Sequence, residues 1–170
     1  MTVITTGQSA PDLTVDPSHL RSVLGNFATG VTAVCSRSDD GEPLGMTVSS
    51  FTSVSLDPPL VSFCVKSESW SWSQIRSTGR FAVSVLAADH SEICRTLARP
   101  AEDRFDSIDW FDSPSGSPLI AGALAWFDCT VHAAHPAGDH DIVVGEIRSL
   151  EMADHRPEPL LFFRSELRRF

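Results

Sequence analysis

The feature that most limits the fold of this chain is the spacing of its apolar runs, which are short, β-rich and joined by turn clusters instead of long helices. Val31-Thr32-Ala33-Val34-Cys35 is one such run, and the cluster Ser38-Asp39-Asp40-Gly41-Glu42-Pro43 leads straight into the next. That next run, Gly45 to Leu60, interleaves Thr47, Ser49, Ser50, Thr52, Ser53 and Ser55 with Val48, Phe51 and Val54 and breaks at Pro58-Pro59. The two read as paired strands. Leu60 to Val65, Phe81 to Leu86, Ile142 to Leu150 and Leu160 to Phe163 continue the series, and Leu124 to His132 alternates Ala125, Phe127, Cys129 and Val131 against Trp126, Asp128, Thr130 and His132, the period of a half-buried strand.

Three segments break the pattern with helical signals. Asp16 caps and Pro17 opens a helix whose Leu20, Val23, Leu24 and Phe27 share a face, with its end expected near Gly30. Trp70 to Arg76 is a short helix closed by Gly79, and Asp89 with Glu92 has the form of a capping box before Ile93, Cys94 and Leu97, stopped by Pro100. Ala101 to Pro118 reads as an excursion loop with Phe105, Ile108, Trp110 and Phe111 as anchors, and His135 to His140 as a turn. Residues 1–15 form a loose polar arm and residues 16–170 one domain. About seven strands and three helices without regular strand-helix alternation predict a mainly β, antiparallel barrel with accessory helices, not a doubly wound sheet.

At 170 residues and 42% hydrophobic content the chain can bury one core. Its net charge of −9 argues against a nucleic-acid groove and against an anionic membrane surface, both of which need clustered Lys and Arg. No apolar run approaches the roughly 20 residues that span a bilayer. Cys35, Cys64, Cys94 and Cys129 form no C-x-x-C pair, and no signal-type leader precedes them, so a soluble protein of the reducing cytoplasm is expected. Each cysteine has apolar neighbours and is expected to be a small buried side chain.

The usual catalytic signatures are absent: no phosphate loop, no G-x-G-x-x-G, no H-E-x-x-H and no G-x-S-x-G elbow. His132, His135, His140 and His155 fall close together but without cysteine neighbours, and no metal site is expected. One oddity stands out. Lys66 is the only lysine among 13 basic residues, and it stands at a strand end beside Ser67 and Ser69. Such a group can hold a phosphate by charge and hydrogen bonds, or be an ordinary solvated lysine.

Taken together, Phe27-Ala28-Thr29-Gly30-Val31-Thr32, the Gly45 to Leu60 stretch, Gly138-Asp139-His140 and the closing Pro159-Leu160-Leu161-Phe162-Phe163-Arg164 resemble the short-chain flavin reductases of two-component monooxygenases, in order and in spacing. The resemblance spans roughly residues 17 to 166. It implies a split β-barrel that binds FMN or FAD near a homodimer interface, reduces it with NADH or NADPH, and releases it to a partner oxygenase or halogenase. By position it implies that Thr47, Val48, Ser49 and Ser50 border the isoalloxazine, that Ser53 and Val54 continue that wall, and that Lys66, Ser67 and Ser69 face the phosphate. Gly138, Asp139 and His140 would lie by the nicotinamide. Many relatives carry Asn where this chain has Ser49 or Ser84, Tyr in place of Phe162, and Gly-Arg-Tyr in place of Ser165-Glu166-Leu167. These departures touch the choice of flavin and of nicotinamide, not the reaction.

The implied chemistry suits the absence of a triad. Hydride passes from nicotinamide C4 to flavin N5, so the protein has to stack two rings and stabilise an anionic reduced flavin with N–H groups and dipoles. His140, the one candidate catalytic side chain, is read as positioning the nicotinamide amide or its phosphates, with a structural turn histidine as the alternative. Two other readings share the barrel: a flavin- or haem-binding store or sensor, and an oxidase of the pyridoxamine-phosphate type with tightly held FMN.

Overall fold

The structure is a computed structural model that describes residues 15–99, 103–154 and 158–170. The expectations for the arm before residue 15, for Pro100, for His155 and for the break at Pro157 lie outside the described residues. The first helix, α1 (Pro17–Leu24), begins as its sequence demands: the Asp16 carboxylate accepts from the His19 amide at 2.7 Å and Pro17 takes the first turn. It ends well before Gly30, because the Asn26 amide side chain turns back and donates to the Ser22 carbonyl at 2.9 Å and the Val23 carbonyl at 3.2 Å. Phe27 therefore lies outside the helix, and Thr29–Gly30 form a short strand, β1.

The chain then runs through β2 (Thr32–Arg37), β3 (Pro43–Val48), β4 (Thr52–Leu56), β5 (Pro59–Lys66), α2 (Trp70–Thr78), β6 (Arg80–Val85) and α3 (Ser91–Leu97). After these come β7 (Trp110–Asp112), β8 (Pro118–Ile120), β9 (Ala125–Ala137), β10 (His140–Met152), β11 (Leu160–Phe163) and β12 (Glu166–Arg169). Seven strands form one antiparallel sheet in the order β3-β2-β6-β9-β10-β5-β4. Its two edge strands, β3 and β4, are consecutive in the chain and joined by only Ser49-Ser50-Phe51, so the sheet must curl until its edges meet. No ladder joins β3 to β4. Instead the Ser50 hydroxyl accepts from the Cys64 amide at 2.8 Å and donates to the Cys64 carbonyl at 3.1 Å, tying the crossover to β5 and leaving the barrel split there. The Gly45 to Leu60 stretch is thus two strands on opposite edges, not one wall.

Alternate residues feed two cores. Val34, Phe63, Phe81, Val83 and Val143 fill the barrel, and α2 plugs it with Trp72 and Ile75, the Trp72 ring standing edge-on to Phe63 at 6.0 Å. Ala33 and Cys35 of β2 point the other way, to an outer cluster with Leu86, Leu97, Phe105 and Ile120. Burial on both faces explains why Val31 to Cys35 is uniformly apolar or small.

Several expectations need correction. The residue capping α3 is His90, not Asp89, and its imidazole makes no cap bond to the helix; Nδ1 accepts from the Ala87 amide at 3.3 Å. Ala101 to Pro118 is not loop throughout. After a turn it carries the β7–β8 hairpin, docked by Arg37, whose guanidinium stacks on Trp110 at 5.1 Å, donates to the Gly116 carbonyl at 2.9 Å and pairs with Asp112. The turn between β9 and β10 is not His135 to His140 but only Gly138-Asp139, with Gly138 at φ 70°, a conformation glycine takes at little cost. The last strand has a partner, β12, giving twelve strands among the described residues where about seven were expected. Among the described residues, no helix is long and apolar enough to cross a membrane.

Candidate active site

A concavity of 1190 Å³ opens where the end of β3, the end of β5, the start of α2 and the end of α3 converge. Thr47 to Ser50 make one side. The β2–β3 ladder ends at Val48↔Thr32, so the amides of Ser49 and Ser50 lie beyond it. Cys64, Val65 and Lys66 of β5, Ser69, Trp70 and Ser71 at the start of α2, and His140 at the start of β10 continue the lining. A second cavity of 600 Å³ shares Thr47, Val48 and Ser49 with the first and is closed by Phe162 and Ser165-Glu166-Leu167 from the β11–β12 hairpin.

The local sequence sets these positions. Lys66 and His140 are cross-strand partners at the β5–β10 ends, and the two-residue turn sets the register of β10 on its other neighbour, β9. The Asp139 carboxylate meets His140 Nδ1 at 2.7 Å, and this hydrogen bond holds the carboxyl below its usual range. Asp141, buried, accepts from the Trp72 indole N–H at 3.0 Å and the Ser67 hydroxyl at 2.9 Å; these bonds, the indole first, lower its pKa. A buried carboxylate needs such donors, and here they lash α2 and the post-β5 loop to β10. Ser69 caps α2, its hydroxyl accepting from the Trp72 amide at 3.3 Å.

Three cations, Lys66, Arg99 and Arg104, and one carboxylate, Glu42, line the cavity. Lys66 is exposed, whereas Arg104 is only 6% exposed and donates to the carbonyls of Gly45 at 2.9 Å and Leu97 at 3.4 Å and to the Ser71 hydroxyl at 3.5 Å. Among the described residues no carboxylate lies within ion-pair distance of it, and burial lowers its pKa. A buried cation held by neutral acceptors at a cavity wall is a site for an anion. The flanking walls, Leu44, Met46, Val48, Val65 and Leu97, are apolar. Apolar sides, amides and hydroxyls at one edge and cations in the lining fit a flat heteroaromatic ring that carries a phosphate.

Of the residues singled out from the sequence, Thr47, Val48, Ser49, Ser50, Lys66, Ser69 and His140 line this cavity. Ser53 and Val54 do not. They lie exposed on β4, beyond the crossover. Ser67, Gly138 and Asp139 flank it without lining it, and the Ser67 and Ser50 hydroxyls are engaged with Asp141 and with the Cys64 backbone. The sequence reading missed Arg104, Ser71, Trp70 and Cys64. Arg104 sits in an acidic segment that gives no local sign of its destination, and Cys64 is exposed where a buried side chain was expected. Cys35, Cys94 and Cys129 are buried, and burial pushes their thiols up, those of Cys35 and Cys129 to about 12. Among the described residues no three His, Cys, Asp or Glu side chains cluster as a metal site would require.

Known proteins share this sequence and fold. The family model described as a flavin reductase like domain matches residues 24–170. The flavin-dependent monooxygenase reductase subunit HsaB of Mycobacterium tuberculosis is 44% identical over 153 residues, covering 89% of this chain and 81% of that one. The NADH-dependent FAD reductase of Streptomyces globisporus is 43% identical over 164 residues, covering 92% and 88%. Among solved structures, BorF, the flavin reductase component of a bacterial two-component tryptophan halogenase, superposes with a TM-score of 0.84 at 40% identity, covering 91% of this chain and 98% of its own. With its split barrel and this degree of likeness along nearly its whole described length, the chain belongs to the flavin reductase-like family.

Proposed function

We propose that this chain reduces free FAD or FMN with NADH or NADPH and hands the reduced flavin to a separate oxygenase or halogenase, working as a homodimer in the cytoplasm. The observation that carries the reading is the cavity itself: ring-sized apolar walls, unladdered Ser49 and Ser50 amides, and the cations Lys66 and Arg104 in its lining. The bound pair supplies the chemistry, hydride passing from nicotinamide C4 to flavin N5. The chain's own residues orient and stabilise: Thr47, Val48 and Ser49 along the ring, Lys66, Ser69 and Arg104 at the phosphate, His140 beside the nicotinamide. None of these has to act as a nucleophile. Contacts that are individually moderate suit a ligand that must leave again.

An oxygenase or halogenase as recipient is supported by the names of the relatives, which are reductase subunits of such systems. The homodimer is supported by an apolar surface that no other described residue covers: Leu20, Val23 and Leu24 of α1 and Phe27 after it are 44–77% exposed. NADH consumption by the purified chain, followed at 340 nm, is expected to depend on added flavin, and the dialysed protein to be nearly colourless. A chain that stays yellow through dialysis, or turns over NADH no faster with either flavin, refutes the proposal.

A further inference from the structure

Trp70 lines the cavity but has no part in the ring and phosphate contacts described above. It is the first residue of α2, it lines the large cavity beside Lys66, Ser69 and Ser71, and it is 62% exposed. The chain does not treat its other tryptophans this way. Trp72 is 1% exposed and bonded to Asp141, Trp126 donates to the Ile120 carbonyl, and Trp110 lies under Arg37. An indole held open at the rim of a cavity is a stacking surface without its partner.

The neighbours identify that partner's chemistry. The cap at Ser69 takes the Trp72 amide through its hydroxyl and the Ser73 amide through its carbonyl, which leaves the amides of Trp70 and Ser71 at the open end of the helix. The Arg104 guanidinium reaches the Ser71 hydroxyl and is held only by neutral acceptors among the described residues, and the exposed Lys66 lines the same cavity, as do Arg99 and Glu42. Two cations and a helix start can neutralise more than one phosphate. An exposed aromatic face on a cavity that also presents cations and free helix-start amides matches a nucleobase joined through a diphosphate to whatever occupies the cavity.

We infer that Trp70 is a stacking platform for the adenine of FAD, and that the chain uses it to prefer FAD over FMN. The inference rests on the flavin-reductase reading and deepens it. FMN has the same ring and one phosphate but no base, so Trp70 contributes to the binding of one flavin and not the other. The adenine of NADH offers the same chemistry, and the experiment separates the two.

The test is equilibrium binding of FAD and of FMN by titration calorimetry to the full chain and its Trp70→Ala and Trp70→Phe variants, with steady-state KM values for NADH alongside. Trp70→Ala is expected to weaken FAD about five-fold or more, the scale of one base stacked on an aromatic ring. FMN affinity and NADH KM should stay within two-fold of the parent, and Trp70→Phe should retain most of the FAD affinity. A merely structural role would move both flavins together. Equal losses for FAD and FMN, an unchanged FAD affinity, or a raised NADH KM with FAD unaffected each overturn the inference. Retained FMN-dependent turnover in the same variants shows that the flavin-reductase reading stands independently of the outcome.

Discussion

Gly45→Ala tests how the outer core supports the site. Gly45 lies on β3, two residues before Thr47, and a Cβ built there would stand 2.7 Å from Phe105 Cζ and 3.1 Å from both Phe105 Cε2 and Leu97 Cδ2. The Phe105 ring is rigid, 8% exposed, and edge-on to Trp110 at 6.3 Å, so it cannot swing aside without disturbing a packed neighbour. Overpacking of this kind costs about 1–3 kcal/mol. Replacing glycine returns about 0.4–1 kcal/mol by restricting the unfolded chain. At the middle of both ranges the net loss is about 1.3 kcal/mol, which lowers Tm by about 3–5 °C for a chain of this size. Because Arg104 adjoins Phe105 and donates to the Gly45 carbonyl, displacement of the ring also moves the buried cation, so the KM for flavin should rise as Tm falls. Thermal denaturation of Gly45→Ala, Phe105→Leu and the double variant measures the clash, since the smaller leucine relieves it and the double variant should be more stable than the sum of the singles. Gly30→Ala is the control: its Cβ meets nothing within 4 Å and its φ is not positive, so Tm should hold or rise slightly. A Gly45→Ala protein as stable as the parent, or strict additivity in the double variant, refutes the reasoning.

Two further outcomes follow from buried groups. Burial lowers the pKa of His90 below 6.5, so the unfolded chain binds the proton first as pH falls. Its contribution to stability is full above about pH 6.5 and is lost on acidification through the lower folded value. Tm measured from pH 8 to 5 should fall, and a His90→Gln variant should show a shallower slope; equal slopes would count against it. Cys64 is the exposed cysteine and lines the cavity, while the other three are buried. Native protein treated with a maleimide should therefore gain one label, at Cys64 by peptide mapping, and saturating flavin should slow the labelling. Labelling elsewhere, or at a rate blind to flavin, would place the thiol outside the ligand's reach.

Much of the barrel was legible because local signals and tertiary demands agree. Asp16-Pro17 and Ser69 mark helix starts by chemistry that acts within three residues, and Gly79 and Gly138 supply the positive φ their turns require. The misreadings fall where the signal was weak or remote. β12 is Glu-Leu-Arg-Arg, largely exposed, and carries no apolar alternation to announce a strand. The early end of α1 comes from one asparagine side chain, which a face of four spaced apolar residues overrode in the sequence. At the site, Thr47 to Ser50, Lys66, Ser69 and His140 were recognisable from motif and position, and the cavity contains them all.

By itself, then, the sequence determined the period of the apolar strands, the chemistry of the glycine turns, and the hydroxyl-rich segment that crosses from β3 to β4. Only the tertiary structure decided that this segment bridges the two edges of one curled sheet, which carries Ser53 and Val54 away from the cavity while Ser50 fastens the seam to Cys64. It alone brought Arg104 beneath Gly45 and Ser71, and Asp141 beneath Trp72. The physical reason is range. Propensity, capping and turn geometry act over a few residues, whereas a buried charge is stabilised by whichever distant backbone and side-chain groups the closed barrel presents to it.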